Sequence, residues 1–358
     1  MYFKTLDDIE NYVTVTKFSS SDQLMIMVGD KSADRVPEMI DLLNRHNVSF
    51  FGGIFPEIIV GNKNRKEGYV VEKLQPVYSS LVLPYMMRFS QDREKLRGAT
   101  AIVFVDGLSG RMKDLTDTVY SKLGEAVTYV GGGAGFYDMH HRPCIFDNRQ
   151  LYEDALYICI VRNETHMALE RGWNKMSGPF YVKKSYDNVI SQLDSYKAFD
   201  VYRHIIEDEE NLTLFKEDFF IYAKDHPFGI HEEDGSLIVR DPIAVNDDDE
   251  IICVAGIPED SEVYILKGDA DTLLKSSLRI TQVCRDKAPR KYLPLLFDCI
   301  SRAMFLGKRF SDELDNIQAN LNYGVEGALS IGEIATRSNG ELVIHNKSTV
   351  LAIMRLDA

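Results

Sequence analysis

The chain has 358 residues, 45% of them hydrophobic and 27% charged; that is enough to bury a large core without staples and to form two or three domains. Its formal net charge is −14, its isoelectric point is near 5.1, and it has no basic run, which argues against a nucleic-acid backbone or an anionic lipid surface as partner. The five cysteines are odd in number, widely spaced and contain no CxxC, so neither a zinc site nor a disulfide framework is expected.

The first residues, MYFKTLDDIENYVTVTKF, lack the basic start and apolar centre of a secretory leader. No apolar run approaches the roughly 18 residues that span a bilayer. Residues 1–20 therefore read as a lead-in, and the protein as reduced and cytoplasmic, with no membrane insertion and no nucleic acid.

Residues 24–53 (LMIMVGDKSADRVPEMIDLLNRHNVSFFGG) and 101–132 (AIVFVDGLSGRMKDLTDTVYSKLGEAVTYVGG) share one plan. Each opens on a short apolar run typical of a buried strand. A turn with Gly, Asp and Ser follows, then an amphipathic stretch: Val36, Met39, Ile40 and Leu43 in one, Met112, Leu115, Val119 and Leu123 in the other. Each ends in a strand closing on Gly-Gly. Residues 67–86 and 142–161 continue the likeness as paired hairpins. The front of the chain, 21–196, is thus expected to be a duplicated β-α-β-β-β domain, with repeats at about 22–90 and 99–163.

The glycines Gly52, Gly53, Gly131, Gly132 and Gly133 are read as strand-end turns or places of close backbone approach. They follow a helix and its strand, and GGGAG fits neither GxGxxG nor GxxxxGK[ST], so a phosphate cradle is disfavoured. Both turns would line one cleft between the repeats.

The back of the chain, 197–358, reads as a strand-rich α+β domain. A helix is expected from about 196, an antiparallel meander over 218–269, a helix over ADTLLKSSLRITQVCR, and a buried strand turning into a helix at YLPLLFDCISRAMFLG. Ser311 carries a helix-capping signal, and VEGALSIGEIAT with LVIHNKSTVLAIMRL closes as paired strands. The fold class is α/β (α+β).

Several stretches, in order, carry a family resemblance: FFGGIFPEIIVGN, YVGGGAG, GWNKMSGPFYVKK, NVISQLDSYKAFDVY, HPFGI, LIVRDPIAV, FDCISRAMFLG, GALSIGEIAT and ELVIHNKSTVLAIM. Together they resemble the FIST family (F-box and intracellular signal transduction), N and C domains both, from about residue 22 onward. Ser195 and Lys197 stand where that family often has Gly and Pro. The resemblance implies an intracellular small-molecule sensor. It implies a partner such as a histidine kinase of a two-component system or a cyclic-dinucleotide signalling protein, because no kinase, methyl-accepting or GGDEF-like segment is visible. Some members bind haem and respond to nitric oxide, which makes a haem sensor the alternative function.

Four polar residues are candidates for gripping a small polar metabolite: Arg240, Arg302, Glu333 and Asn346. A guanidinium and a carboxylate together suit a zwitterion such as an amino acid; equally, Arg302 and Glu333 would pair with each other as a structural ion pair. Haem would need one histidine, for which His226, His231 and His140 are the candidates. No metal site and no cofactor follow from the spacing. No GxSxG, HExxH or Cys/His pair supports catalysis, so the chain is read as a non-enzyme; a hydrolase or transferase is the third option.

Overall fold

The computed structural model describes residues 1–356 apart from 233, 234, 236 and 338. Three sheets of six strands and one of eight contain the strands.

The duplicated plan is present, and a third copy accompanies it. In the first unit, Gln23–Gly29 and Phe50–Phe55 run parallel, Ile26 opposite Gly52, with helix Val36–Arg45 between them. In the second, Ala99–Asp106 and Val127–Ala134 run parallel around helix Met112–Leu123, Val103 opposite Gly131. The third unit pairs Tyr292–Cys299 with Glu326–Ser330, Leu296 opposite Gly327, and crosses over through helices Ile300–Leu306 and Phe310–Gln318. The first strand of each unit is buried along its whole length, as a strand flanked on both sides and covered on both faces must be.

The units exchange strands in a ring. After its second strand each unit sends a hairpin to a neighbour. Glu57–Val60 with Lys63–Arg65 joins the third unit. Ile145–Asp147 with Leu151–Tyr152 joins the first, and Glu333–Thr336 with Leu342–His345 joins the second. Each unit then returns to its own sheet with an antiparallel strand: Tyr69–Leu74, Leu156–Val161 and Thr349–Arg355. The rings of Phe51 and Phe104 (5.7 Å) and of Phe104 and Phe297 (6.0 Å) join the three units in one core.

Several expectations change in detail. The stretch 67–86 is not a hairpin: Tyr69–Leu74 and Pro76–Val82, one residue apart, lie in different sheets. Gly52, Gly53, Gly131, Gly132 and Gly133 are not turns but interior strand positions, all buried. A Cβ on Gly52 would lie 2.2 Å from both Ile26 O and the Phe146 ring; one on Gly131 would lie 1.8 Å from Val103 O. Close approach of neighbouring strands is thus the reason for the glycines. Ser311 does not cap its helix but donates to Lys308 O. The N-terminal residues build structure: Tyr2–Phe3 extends the first sheet, and helix Leu6–Val15 opens with a capping box between Thr5 and Asp8.

The eight-stranded sheet lies between the second and third units in the chain, from Trp173–Tyr186 to Glu262–Gly268, with helices Ala198–Glu210 and Phe219–Ala223. It has its own core, including Phe199, Tyr202, Phe219 and Phe228. This inserted body packs against the carboxyl ends of the parallel strands of the second and third units, where open α/β sheets place their ligands.

Candidate functional site

A cavity of about 310 Å³ lies at that junction. The loop after Ala99–Asp106 contributes Leu108, and the loop after Val127–Ala134 contributes Met139. From the third unit come Cys299, Ile300 and Ser301 at the strand-to-helix corner, and Ile331 and Gly332 after Glu326–Ser330. The insert adds Phe220, Asp241, Ile243 and Val254, and the last lining residue is Asn346. The wall is mostly apolar, with Asp241, Cys299, Ser301 and Asn346 as its polar members.

Three of them, Asp241, Cys299 and Ser301, form one buried network. Ser301 donates its hydroxyl to Asp241 Oδ2, and Cys299 Sγ is 3.1 Å from Ser301 Oγ. Burial raises the Asp241 carboxyl above the usual range, opposed by Lys347 and Ser301. Burial likewise pushes the Cys299 thiol up, with Glu333 and Asp241 adding to it, so this cysteine is not an activated nucleophile.

The loop His345–Ser348 is buried throughout, which is unusual for a connection between strands. Its polar groups find partners one by one. Trp173 Nε1 donates to Lys347 O (2.9 Å), Cys299 N donates to Ser348 O (3.1 Å), and Ser348 N donates to Glu333 Oε2 (3.2 Å). Lys347, at a left-handed φ of 56°, turns its ammonium to Asp241 Oδ1 at 3.0 Å. The exception is Asn346, 1% exposed, whose Oδ1 has no hydrogen-bond partner.

The residues singled out from sequence fall in several places. Asn346 is in the cavity wall. Arg302, fully buried, pairs with Glu313 (2.8 Å) rather than with Glu333, and Asp298 lies 3.8 Å away. Its remaining donors go to Arg171 O, Leu273 O and Ser276 Oγ. Burial alone would lower the Arg302 pKa; Glu313 and Asp298 reverse that and raise it. Glu333 accepts from Ser330 Oγ (2.8 Å) and Ser348 N, and burial raises its carboxyl well above the usual range. Arg240 donates to the carbonyls of Gly256, Val239 and Ile344, and burial lowers it to about 10. Arg302 and Glu333 thus hold separate partners and not each other, and the five glycines lie inside sheets rather than in the cavity wall.

The three histidines do not fit a haem pocket. Both ring nitrogens of His226 are engaged, Nδ1 with Tyr222 O at 2.9 Å and Nε2 with Glu210 Oε1 at 3.1 Å. His231 is 3.2 Å from Glu262, and His140 is exposed with Nδ1 3.1 Å from Asp138 O. None of the three lines the cavity. Among the described residues one group, Asp106, His141 and Asp154, brings donor atoms within 4.8 Å of one another. His141 Nε2 is 2.8 Å from Asp106 Oδ2. Burial opposes protonation of this imidazole, but its bond to Asp106 and the charges of Asp106 and Asp154 raise its pKa.

Sequence reasoning passed over Asp241, Ser301 and Lys347. Each is the immediate neighbour of a residue that was chosen.

Three strand-exchanging α/β units, with an inserted sheet packed over a cavity at their strand ends, define a mixed α+β protein with a mainly apolar hollow. The chain belongs to the FIST family: the FIST N domain matches residues 4–195 and the FIST C domain residues 198–336. FIST domains are sensory domains of signal transduction. No curated protein matches the chain significantly. The junction between the two matched domains falls inside the eight-stranded sheet, between Tyr196–Lys197 and helix Ala198–Glu210. No helix among the described residues is long and apolar enough to cross a membrane.

Proposed function

We propose that the protein is a cytoplasmic sensor that binds a small molecule in the cavity between the insert and the second and third units. A partner, such as a histidine kinase or a cyclic-dinucleotide signalling protein, reads the result. The observation that carries this reading is Asn346: a buried amide oxygen without a partner in the wall of a mainly apolar cavity. An unpaired buried acceptor is costly, and a ligand donor would remove that cost. The volume, about 310 Å³, falls at the small end of the roughly 300–1,000 Å³ common for ligand sites.

The lining favours a molecule with an apolar body and one polar end carrying a hydrogen-bond donor. An amino acid fits this lining less well, since no cationic side chain among the lining residues meets its carboxylate. Because the wall is built from both bodies, a bound ligand favours the arrangement in which they touch. The shift is limited by its differential affinity for the two arrangements.

Thermal-shift screening of a neutral-metabolite library against wild type and Asn346→Leu tests the reading. Ligands that raise the wild-type Tm and leave Asn346→Leu unchanged support it. A library without effect on wild type, or with equal effect on both proteins, overturns it.

A further inference from the structure

Helix Ile300–Leu306 also walls a second cavity, of about 420 Å³ and mainly polar, whose lining includes Glu57, Asn64, Tyr137 and Lys308. Ile300 lines both cavities. Glu57 sits on the hairpin that the first unit lends to the third and is 7% exposed. Asn64 Nδ2 donates to its Oε2. Its Oε1 faces Lys66 Nζ at 3.8 Å, which is too far for a hydrogen bond. That same ammonium lies 3.6 Å from the centre of the Tyr137 ring.

A buried carboxylate needs a cation, and an aromatic face beside it attracts the same cation. Lys66 approaches this spot without completing it. Its side chain is 40% exposed, and its backbone is held by Lys31 N donating to Lys66 O. A free ammonium has no such tether and can close to the ~2.8 Å of a charge-assisted hydrogen bond. Little is lost when Lys66 returns to water, because half-exposed ion pairs contribute little.

We propose that this second cavity binds a small organic molecule bearing a primary ammonium group, which takes the place Lys66 holds between Glu57 and Tyr137. The site is separate from the apolar cavity, so either reading can fail without the other.

Isothermal titration calorimetry with a series of primary amines, ethylamine to hexylamine and 1,4-diaminobutane, tests it on wild type, Lys66→Met, Glu57→Gln and Tyr137→Leu, with 1-butanol as the uncharged control. Lys66→Met is expected to bind at least one amine about five- to tenfold tighter than wild type, because the competing internal cation is gone. Glu57→Gln and Tyr137→Leu are expected to lose that binding, and butanol to show none. Tyr137 is 38% exposed, so its replacement decides the matter if Glu57→Gln does not fold. Absence of amine binding to Lys66→Met, or binding that Tyr137→Leu leaves unchanged, overturns the proposal.

Discussion

Lys347 Nζ lies 3.0 Å from Asp241 Oδ1, and the two residues belong to different bodies. Asp241 is on the insert, and Lys347 is on the buried loop of the third unit. Neither has meaningful solvent exposure, so the pair replaces the water that each charge gave up. Ser301 adds a hydrogen bond to the same carboxylate from a third element, and the cavity adjoins all three. A ligand there acts beside the ion pair that ties Asp241 to the three-unit body.

Breaking that pair is predicted to be severe. Asp241→Asn or Lys347→Met leaves one buried charge alone, a loss of about 3–5 kcal/mol. The double variant Asp241→Asn/Lys347→Met leaves no stranded charge and is expected to lose less than the sum of the two. Urea denaturation of the four proteins gives the three differences. Additive losses would mean that the two side chains do not share an interaction.

The neighbouring His345 makes stability depend on pH. Burial, then the charges of Arg171, Arg240 and Arg337, lower its pKa well below the ordinary 6.5. Below pH 6.5 the unfolded chain takes a proton that the folded chain refuses, so stability falls on acidification, by up to about 1.4 kcal/mol per pH unit until the folded pKa is reached. Glu333 and Asp298, whose pKa values are raised, act in the opposite sense, so the measurement is a difference. Between pH 6.5 and 5, His345→Gln is expected to lose less stability than wild type. Parallel curves would remove His345 from the account.

Much of the architecture was legible because buried strands and amphipathic helices carry strong periodic signals. The strand-to-helix corner at Cys299–Ile300 and the helix at Ala198 are where the pattern puts them. The third unit was missed because two helices occupy its crossover instead of one. Strand exchange was missed because apolar alternation says which residues are buried but not which sheet buries them. At the site, sequence reasoning reaches Asn346, which lines the cavity, and in two other segments reaches the neighbour of a lining residue: Arg240 beside Asp241 and Arg302 beside Ser301. The apolar pattern marks these segments as buried but does not say which of two adjacent side chains faces a hollow.

The glycine positions offer a test of close approach against turn geometry. Gly52→Ala and Gly131→Ala place a Cβ on a neighbouring backbone carbonyl, which forces paired strands apart. A loss above about 3 kcal/mol, or no soluble protein, is expected. Gly110 has open space within 4 Å and no positive φ, so Gly110→Ala should change stability by less than about 1 kcal/mol. Soluble yield and thermal unfolding of the three variants check this. Tolerance of alanine at Gly52 and Gly131 would mean that the strands have room the structure does not give them.

Arg302 meets the Glu313 carboxylate and leaves that of Glu333 to different partners. Its guanidinium meets Glu313 at 2.8 Å and Asp298 at 3.8 Å, and its other donors are taken by backbone carbonyls and Ser276. Glu333 is held by Ser330 and Ser348 instead. A double-mutant cycle between Arg302→Met and Glu313→Gln is expected to show a coupling of about 1–3 kcal/mol, and the same cycle with Glu333→Gln a coupling within about 0.5 kcal/mol. Arg302 then serves the packing of helices Ile300–Leu306 and Phe310–Gln318 around the third unit, the wall behind both cavities. A stronger coupling to Glu333 would reverse that assignment and return the pair to one shared ionic site.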